Sequence, residues 1–593
     1  MKRSATLSRT AGGFFPRRTR TGALPLGVLL GVLGLAGCQG EAPPTEESPD
    51  VLAEARDAME VIDAETLREP IAVLSSDEFA GRGPASPGDE MTQAYLVERM
   101  EALGLEPGAA DGGWLQPFEI VGVTSHAPAT WRFLGPRSGL ELAHHTEAIA
   151  YSGTQNETAS LTSAELVFVG YGIQAPEHDW DDYKGADLTG KVLVMMNNDP
   201  DWDEELFAGE RRLWYGRWDY KYEIAARMGA AGAILIHTTP SAGYPFQVVQ
   251  TSWTGEQFEL PAGDEPRLEV RGWVTEDAAR RLAALGRHDL DELRAAARSR
   301  DFEPVPLDVV TSIEITNTIR RAETANVLGL IPGRDEELAR QLVVYSAHHD
   351  HLGVAEPDAE GDAIYNGALD NASGCSQLLA IAGAFQALPQ PPRRSVLFAF
   401  VAAEEQGLLG SEYLARHPPA APGLLAANVN LDGANIWGKT SDVSYIGYGK
   451  TSIDALVDAF AAEQGRVVRP DQHPDKGYFY RSDQFNFAKI GVPAAYLDSG
   501  TEFVGRPPGW GREQMDRYTE VDYHQPSDEL TDDWSFDGMI EDAQLAFLVG
   551  VAIAEQDDMP TWNPGDEFEA ARLEALAALE QPDEAQDRPS EGP

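Results

Sequence analysis

The chain has 593 residues, of which 96 are Asp or Glu and 46 are Lys or Arg, so its formal net charge at pH 7 is −50. This acidity argues against nucleic acid as a partner and against electrostatic docking to anionic lipid. The length predicts more than one domain, and the sequence does not specify an oligomeric state.

The first 37 residues predict a secretion signal, outside the fold. Basic residues precede the apolar run 23–35, which is too short to cross a bilayer. The run ends in Leu35-Ala36-Gly37-Cys38, a pattern typical of a bacterial lipoprotein cleavage site. The alternative is an ordinary signal peptide with a chance cysteine. We expect lipidation at Cys38, which would anchor the exported protein in the bacterial cell envelope, at the outer membrane or the periplasmic face.

Composition divides the rest of the chain into five segments. We expect a Pro- and Glu-rich tether at 38–55, the first part of an α/β domain at 56–125 and a segment of short strands at 126–300. The α/β domain resumes at 301–566, and an acidic tail follows at 567–593, helical at first and disordered from Gln581.

Three apolar, strand-like runs are each followed by residues of types that commonly bind metal ions. Run 342–347 precedes His348, run 395–402 precedes Glu404 and Glu405, and run 427–431 precedes Asp432. A fourth acid, Asp370, precedes the helical pattern 372–388. Because the carboxyl ends of parallel strands meet at one edge of a sheet, these side chains are expected in one crevice. An imidazole with several carboxylates suits zinc.

Each of these positions also has a structural explanation. A histidine at a strand end is more often a hydrogen-bonding residue, and Asp370 could be only a helix N-cap. Adjacent acids after an apolar run, as in Glu404-Glu405, are harder to explain, because burial makes an unpaired carboxylate costly. Four such positions in order favour a metal site.

Seven segments together resemble metallopeptidase family twenty-eight, the co-catalytic zinc peptidases that include aminopeptidase Y and glutamate carboxypeptidase. The resemblance extends from about Ile62 to Trp562. The segments are LSSDEFAGRG (74–83), SAHHDHLG (346–353), NGALDNASG (366–374), AAEEQGLLGSEY (402–413), NLDG (430–433), RSDQFNFAKIGVPA (481–494) and YHQPSDEL (523–530).

The resemblance implies two zinc ions in each chain. His348 and Asp432 would hold one ion, Glu405 and His524 the other, and Asp370 would bridge both. It also implies three catalytic residues, which are Glu404 as the general base, Asp350 as the carboxylate that orients His348, and Tyr523, which would steady the tetrahedral intermediate. One departure from the family pattern is Gln484, where many relatives have histidine, and it bears on substrate contacts.

The implied fold is α/β, a mixed and mostly parallel sheet flanked by helices, with a β-rich protease-associated domain inserted at 126–300 as a cover. The implied activity is that of a zinc exopeptidase acting on peptides, and an aminopeptidase is favoured. The alternatives are a carboxypeptidase or dipeptidase with the same zincs, a glutaminyl-cyclase-like transferase, and a non-catalytic binding module.

Two further expectations follow from local composition. Cys375 lies in an apolar helical pattern and is expected to pack in the core, not to act as a nucleophile. The Gly-, Pro- and Trp-rich stretch 499–523 predicts a long loop, in which Trp510 and Arg512 would line the substrate entrance.

Overall fold

The computed structural model describes residues 51–203, 206–355, 357 and 361–580. The predicted signal, Cys38, most of the predicted tether and the end of the acidic tail therefore lie outside the described residues. Within the described ranges, no helix combines the length and the apolar character needed to cross a membrane.

A mixed sheet organises the part of the chain that carries the predicted ligands. Its four central strands are parallel, and antiparallel pairings lie toward its edges. In spatial order the strands are Glu106–Pro107, the end of Val305–Ile331, Ser395–Val401, Leu342–His348, Leu425–Asn430, Ala494–Asp498, Asp442–Ile446 and Val467–Pro470. The predicted α/β class with a mostly parallel sheet is confirmed for this part of the chain.

Helices cover both faces of this sheet, which explains why its central strands are apolar on both faces. On one face Tyr345 packs against Phe385 and donates a hydrogen bond to the carbonyl of Ala546 at 2.8 Å. On the other face Val344 packs in a cluster with Phe487. The helices in this part are Val51–Ala58, Ala64–Leu74, Pro87–Leu103, Ser373–Ala387, Leu409–Arg416, Asp454–Glu463, Gln484–Lys489, Trp510–Val521, Asp537–Glu555 and Glu569–Glu580.

The segment between the two parts of the α/β fold has a hydrophobic core of its own, with buried residues from Trp131 to Ile315. Its strands of four or more residues are Thr130–Leu134, Gly139–Ala143, Ala148–Ser152, Thr158–Phe168, Val192–Met196, Gly232–His237, Glu256–Glu259 and Val270–Thr275. Its helices are Trp218–Arg227, Thr239–Ala242, Phe246–Ser252, Glu276–Leu285 and Leu290–Ala296. This core is β-rich, as the composition of 126–300 predicts.

One long antiparallel ribbon joins the two parts of the fold. Strand Leu115–His126 runs beside strand Val305–Ile331, which has 27 residues, and His126 is the register partner of Thr316. Residues of the long strand before Thr316 pack in the core of the inserted segment, and Val327 and Ile331 pack in the other core. The same strand therefore serves both cores.

The prediction of a long loop at 499–523 is wrong over the second half of that range, because residues Trp510–Val521 form a helix. Pro507, Pro508 and Gly509 come directly before the helix, and Gly509 has φ 83°. These residues mark the start of a helix, although their composition resembles that of a loop. The helix is mostly exposed, so its sequence has only a weak apolar stripe, and such a stripe is the pattern from which a helix is predicted.

Candidate metal centre

Asp370 lies between two histidines, and each of its carboxylate oxygens faces one of them. Asp370 Oδ1 is 3.2 Å from His348 Nε2, and Asp370 Oδ2 is 3.2 Å from His524 Nε2. On the first side, Asp432 Oδ1 is 3.2 Å from His348 Nε2. On the second side, Glu405 Oε2 is 3.1 Å from His524 Nε2. The five residues named from the motifs thus form two donor groups that share Asp370.

Neighbouring parallel strands bring the first donor group together. His348 is the last residue of its strand, and Asp432 follows the adjacent strand Leu425–Asn430. With its proton on Nδ1, His348 donates to the carbonyl oxygen of Asp350 at 3.2 Å, which leaves Nε2 free for an ion. The Asp350 carboxylate is 3.8 Å from Nδ1, within ion-pair distance, and the backbone carbonyl of Asp350 forms the hydrogen bond that orients the ring.

The Asp350 carboxylate holds the turn that carries the two adjacent glutamates. Its Oδ1 accepts the N–H of Glu404 at 3.0 Å, and its Oδ2 accepts the N–H of Glu405 at 3.3 Å. The turn starts at Ala403, whose φ of 55° is in the left-handed region and redirects the chain after the strand. As a result Glu405 reaches His524 while Glu404 lines the adjacent cavity.

A second carboxylate, Asp528, fixes the backbone at Asp370. Its oxygens accept the N–H groups of Leu369 and Asp370, each at 3.0 Å, and the hydroxyl of Tyr518 at 3.2 Å. Burial raises the pKa of Asp528 to about 6, although the two N–H groups oppose this shift. Asp528 and His524 lie on one short segment, so the same segment positions both sides of Asp370.

A buried polar chain holds Asp432. Ser482 donates to Asp432 Oδ2 at 2.5 Å, and Asn430 donates to Ser482 Oγ at 2.8 Å and to Gln484 Oε1 at 2.9 Å. Gln484 is fully buried and also donates to the carbonyl of Phe479. The side chain of Gln484 therefore holds this network in place.

His351 is a member of the centre that the sequence reasoning missed. Its Nδ1 is 2.6 Å from Glu405 Oε1, whereas His524 approaches the other oxygen of the same carboxylate, and the centroids of the two rings are 5.6 Å apart. Together with Asp370 and Glu405 it forms a group of potential metal ligands. The His-x-Asp-His spacing of His348 to His351 could have indicated this residue, since both histidines lie at the end of the same strand.

Charges within the centre shift the pKa values of its residues in opposite directions. Burial raises the pKa of Glu404 well above its ordinary value. Burial opposes ionisation of Glu405 too, but His524 and His351 outweigh it and lower the pKa to about 2. Asp370, buried between two histidines, has a pKa well below the ordinary value. The two neighbouring glutamates therefore differ in basicity, and Glu404 is the stronger proton acceptor.

The donor groups fit zinc ions. Tetrahedral ligands at about 2.0 Å from an ion are about 3.3 Å apart, close to the separations around Asp370. The buried Nε2 of His524 approaches one carboxylate oxygen each of Asp370 and Glu405, so a cation that replaces the proton on this nitrogen would have three donors around it. Imidazole and carboxylate donors together suit zinc.

The centre opens into a cavity of about 410 Å³, which is lined by Glu404, Tyr523 and Arg512 among others. Trp510, which was expected at the entrance, instead packs against Phe503. Tyr523 stacks on the ring of His524 at 3.9 Å between centroids, and 44% of its surface is exposed. Burial of the hydroxyl end and the nearby carboxylates raise the pKa of Tyr523, so its hydroxyl remains a hydrogen-bond donor.

Cys375 lies behind the centre and is fully buried, with Sγ 3.1 Å from the carbonyl oxygen of His348. Burial raises its pKa to about 12. The thiol is therefore protonated at neutral pH, and Cys375 packs in the core as its helical pattern predicts.

Comparison with known proteins bears on the same region of the chain. Residues 326–548 match the model of Peptidase family M28. A probable zinc metalloprotease of Pyrenophora teres f. teres (strain 0-1) is 40% identical over 204 residues, which is 30% of this chain and 43% of that protein. Aminopeptidase NAALADL1 of Rattus norvegicus is 32% identical over 117 residues, 18% of this chain and 14% of that protein. The matched region thus spans less than half the length of these relatives.

Among solved structures, an aminopeptidase from Aneurinibacillus sp. strain AM-1 is similar with a TM-score of 0.46 and 20% sequence identity. That comparison covers 86% of this chain and 98% of the other.

Proposed function

Because residues 326–548 are a domain of peptidase family M28, we propose that the chain is a zinc-dependent exopeptidase that removes N-terminal residues from peptides. The observation that carries the proposal is the bridging geometry of Asp370, with one donor group on each of its oxygens. A pair of groups that share a carboxylate suits two zinc ions side by side. His348 and Asp432 would hold one ion, and Glu405 and His524 the other.

Zinc ions in these groups would polarise the scissile carbonyl and lower the pKa of the attacking water. Glu404 accepts the proton from that water and afterwards donates it to the leaving amine. Three features support this role: Glu404 lines the cavity, burial raises its pKa, and its carboxylate forms no hydrogen bond to another described residue. The hydroxyl of Tyr523 donates a hydrogen bond to the oxygen on which negative charge develops.

The direction of cleavage is the part of the proposal with the closest rivals. The name of the rat relative favours an aminopeptidase, whereas a carboxypeptidase or dipeptidase would use the same donors. A glutaminyl-cyclase-like transferase is disfavoured because such relatives use one zinc and both donor groups are present here. A non-catalytic binding module is disfavoured because no ligand position is substituted.

Peptides with blocked termini test this proposal. The zinc-loaded protein should cleave a peptide that is blocked only at its C-terminus, by amidation. It should spare a peptide of the same sequence that is blocked only at its N-terminus, by acetylation. Cleavage of only the acetylated peptide would assign a carboxypeptidase, and cleavage of free dipeptides alone would assign a dipeptidase. Metal analysis of the same sample should give two zinc ions per chain, and failure to cleave any peptide despite full zinc content would refute the exopeptidase proposal.

The inserted β-rich segment is proposed to be a protease-associated domain that limits access to the cavity. Arg212 of this segment donates its backbone N–H to the carbonyl of Pro474 at 3.0 Å, and residues 471–473 of the same loop line the cavity. All predicted zinc ligands lie outside the insert, so its role is selection of substrates and not catalysis.

The protein is also proposed to be a lipoprotein of the bacterial cell envelope. Cys38 is the residue that would carry the lipid, and more than one acyl chain anchors a protein firmly. The Cys38→Ser variant should appear in the soluble fraction after cell breakage, whereas the wild-type protein stays with membranes after a salt wash. A membrane-bound Ser variant would show that another feature anchors the chain.

A further inference from the structure

Arg481 lines the same cavity as the candidate metal centre. The cavity wall includes His348, Asp370 and Glu404 together with Arg481. The next residue in the chain, Ser482, donates the 2.5 Å hydrogen bond to Asp432. The guanidinium is therefore carried by the segment that fixes a candidate zinc ligand, and a molecule bound at the centre meets it within one cavity.

The guanidinium of Arg481 has no anionic partner in the described part of the chain. No carboxylate lies within ion-pair distance of it, and its buried Nε forms no hydrogen bond. Burial and two neighbouring cations, Arg217 and Arg212, lower its pKa to about 10, so it stays charged at neutral pH. The half-buried guanidinium lies over the ring of Tyr478, 5.4 Å from its centroid. A partly buried charge without a counter-ion is costly, and this cost falls when an anion binds.

The inserted segment supplies the neighbouring cations. Arg217 also has a buried Nε without a hydrogen-bond partner, and no ion pair of its own among the described residues. Arg212, in contrast, lies close to the carboxylate of Asp199. Gly243 of the insert lies against Arg481, because a Cβ placed on it would be 4.0 Å from Nη2. Arg481 therefore lines the cavity itself, while cations of the insert lie near it.

The carboxylates that line the cavity form no ion pair with Arg481 in the described part of the chain. They include Asp471, Asp498 and Asp516, and Asp498 accepts the N–H of Ser499 at 2.7 Å. Lys476 and Arg512 also line the cavity, and the charge of Lys476 acts on Asp471. Arg481 with Arg217 therefore remains a pair of cations without a counter-ion among the described residues.

We propose that Arg481, with Arg217 behind it, binds a carboxylate of the peptide substrate. The inference rests on the proposed exopeptidase function and adds a substrate class to it, namely peptides with an anionic group near the scissile bond. A planar guanidinium binds a carboxylate through two parallel hydrogen bonds, which gives both charge and shape selectivity. The carboxylate comes from an acidic side chain or from the free C-terminus of a short peptide.

Three matched peptide pairs separate these sources. The reference is the tripeptide Ala-Ala-Ala amide. The first pair has Glu or Gln in the first position, the second pair has Glu or Gln in the second position, and the third pair is the tripeptide as free acid or as amide. For zinc-loaded wild-type protein, the carboxylate member of one pair should have a kcat/KM larger by ~10–100-fold. That pair identifies the source.

Four variants test whether Arg481 causes the preference. Arg481→Gln should reduce the ratio within that pair to about one, and Arg481→Lys should retain part of it, since charge persists while the planar fork is lost. Arg217→Gln should reduce the ratio by a smaller factor. The control is Arg506→Gln, which removes an equal charge from an exposed position outside the cavity wall and should leave the ratio unchanged. Thermal unfolding of each variant verifies that it is folded.

Binding distinguishes failure of the inference from failure of the proposed function. Calorimetry with zinc-loaded Glu404→Gln protein measures the affinity for the same peptides without turnover. If wild-type protein cleaves no peptide but the carboxylate member binds more tightly and Arg481→Gln removes the difference, the exopeptidase proposal fails and the inference stands. Equal cleavage and equal binding of both members of every pair, or a preference that survives Arg481→Gln, would overturn the inference.

Discussion

Asp350 fixes the position of Glu404 through the backbone, because Asp350 Oδ1 accepts the N–H of Glu404 at 3.0 Å and Asp350 Oδ2 accepts the N–H of Glu405 at 3.3 Å. The two residues come from different strand ends, 54 positions apart. The hydrogen bonds fix the turn that sends Glu404 into the cavity and Glu405 to the metal centre. A change at Asp350 should therefore affect the base and a zinc ligand together.

The Asp350→Asn variant tests this relationship. The amide keeps one acceptor and turns a donor toward the second N–H, which is then buried without a partner. We expect kcat/KM to fall by ~10–100-fold and the free energy of unfolding to fall by ~1–3 kcal/mol. The control is Asp335→Asn, because Asp335 also accepts two N–H groups, each at 3.0 Å, but on the surface. Equal activities of the two variants would contradict the positioning role.

Substitution of the two adjacent glutamates should separate catalysis from metal binding. Glu404→Gln keeps shape but cannot accept a proton, so we expect it to retain two zinc ions and to lose turnover by ~10²–10⁴-fold. Glu405→Gln replaces a charged ligand with a neutral one and should weaken one zinc site. Metal analysis and peptide hydrolysis on both purified proteins provide the measurement. Zinc loss from Glu404→Gln with two ions kept by Glu405→Gln would mean that the roles are reversed.

The sequence predicts those parts of the centre that depend on strand ends. Apolar runs that end at His348, Glu404 and Asp432 indicate the sheet, because strands that are buried on both faces must be apolar. They also indicate its functional edge, because the polar residues at the ends of parallel strands lie along one edge of the sheet. Asp370 was indicated by its place before a helical pattern, whereas His524 came from the family motif alone, since no periodic pattern marks it. The structure brings all five to one place.

Other features depend on tertiary contacts that no local pattern encodes. In the described part of the chain, His351 contacts the second oxygen of the Glu405 carboxylate and Arg481 forms no ion pair, yet each residue alone looks ordinary in the sequence. The long strand Val305–Ile331 crosses between two cores, because pairing with Leu115–His126 continues through the whole ribbon. A change of composition near residue 300 therefore does not mark the end of the inserted core.

Zinc uptake should release protons. In the metal-free centre, burial alone would lower the pKa of His524, but Glu405 and Asp370 outweigh it and raise the pKa from 6.5 to about 10. The pKa of His348 is also raised, chiefly by Glu404 and Asp432 acting against burial. Both rings are then protonated at pH 7.5, and zinc requires them neutral, so binding should release about two protons and tighten with rising pH.

Calorimetric zinc titration of chelator-treated protein, in two buffers with different ionisation enthalpies, measures this release. His524→Gln should release about one proton fewer, and His126→Gln, at an exposed strand end, should behave like wild type. The raised pKa also stabilises the metal-free fold below pH 6.5, and this contribution should be lost as the pH rises through about 10. Zinc uptake without proton release at pH 7.5 would show that the histidines are neutral before binding.

Removal of the inserted segment tests whether the segment is needed for zinc binding or only for substrate selection. His126 and Thr316 are partners in the antiparallel ribbon, so deletion of residues 127–315 and closure with Asn-Gly should leave a two-residue hairpin. Every proposed zinc ligand lies outside the deletion, and we expect two zinc ions to remain bound. The melting temperature should fall, because contacts such as that of Trp214 with Phe485 are lost.

Selectivity should change in the same deletion variant for two separable reasons. Loss of the cover should raise the relative rate on long peptides, and loss of Arg217 together with exposure of Arg481 to water should weaken the preference for carboxylate peptides, because solvent screens the charge. Full-length Arg217→Gln separates the effects, since it should reduce the carboxylate preference while the preference for short peptides stays as in wild type. A folded deletion variant that loses zinc would show that the insert is part of the catalytic unit, and one that keeps both preferences would show that the insert does not select substrates.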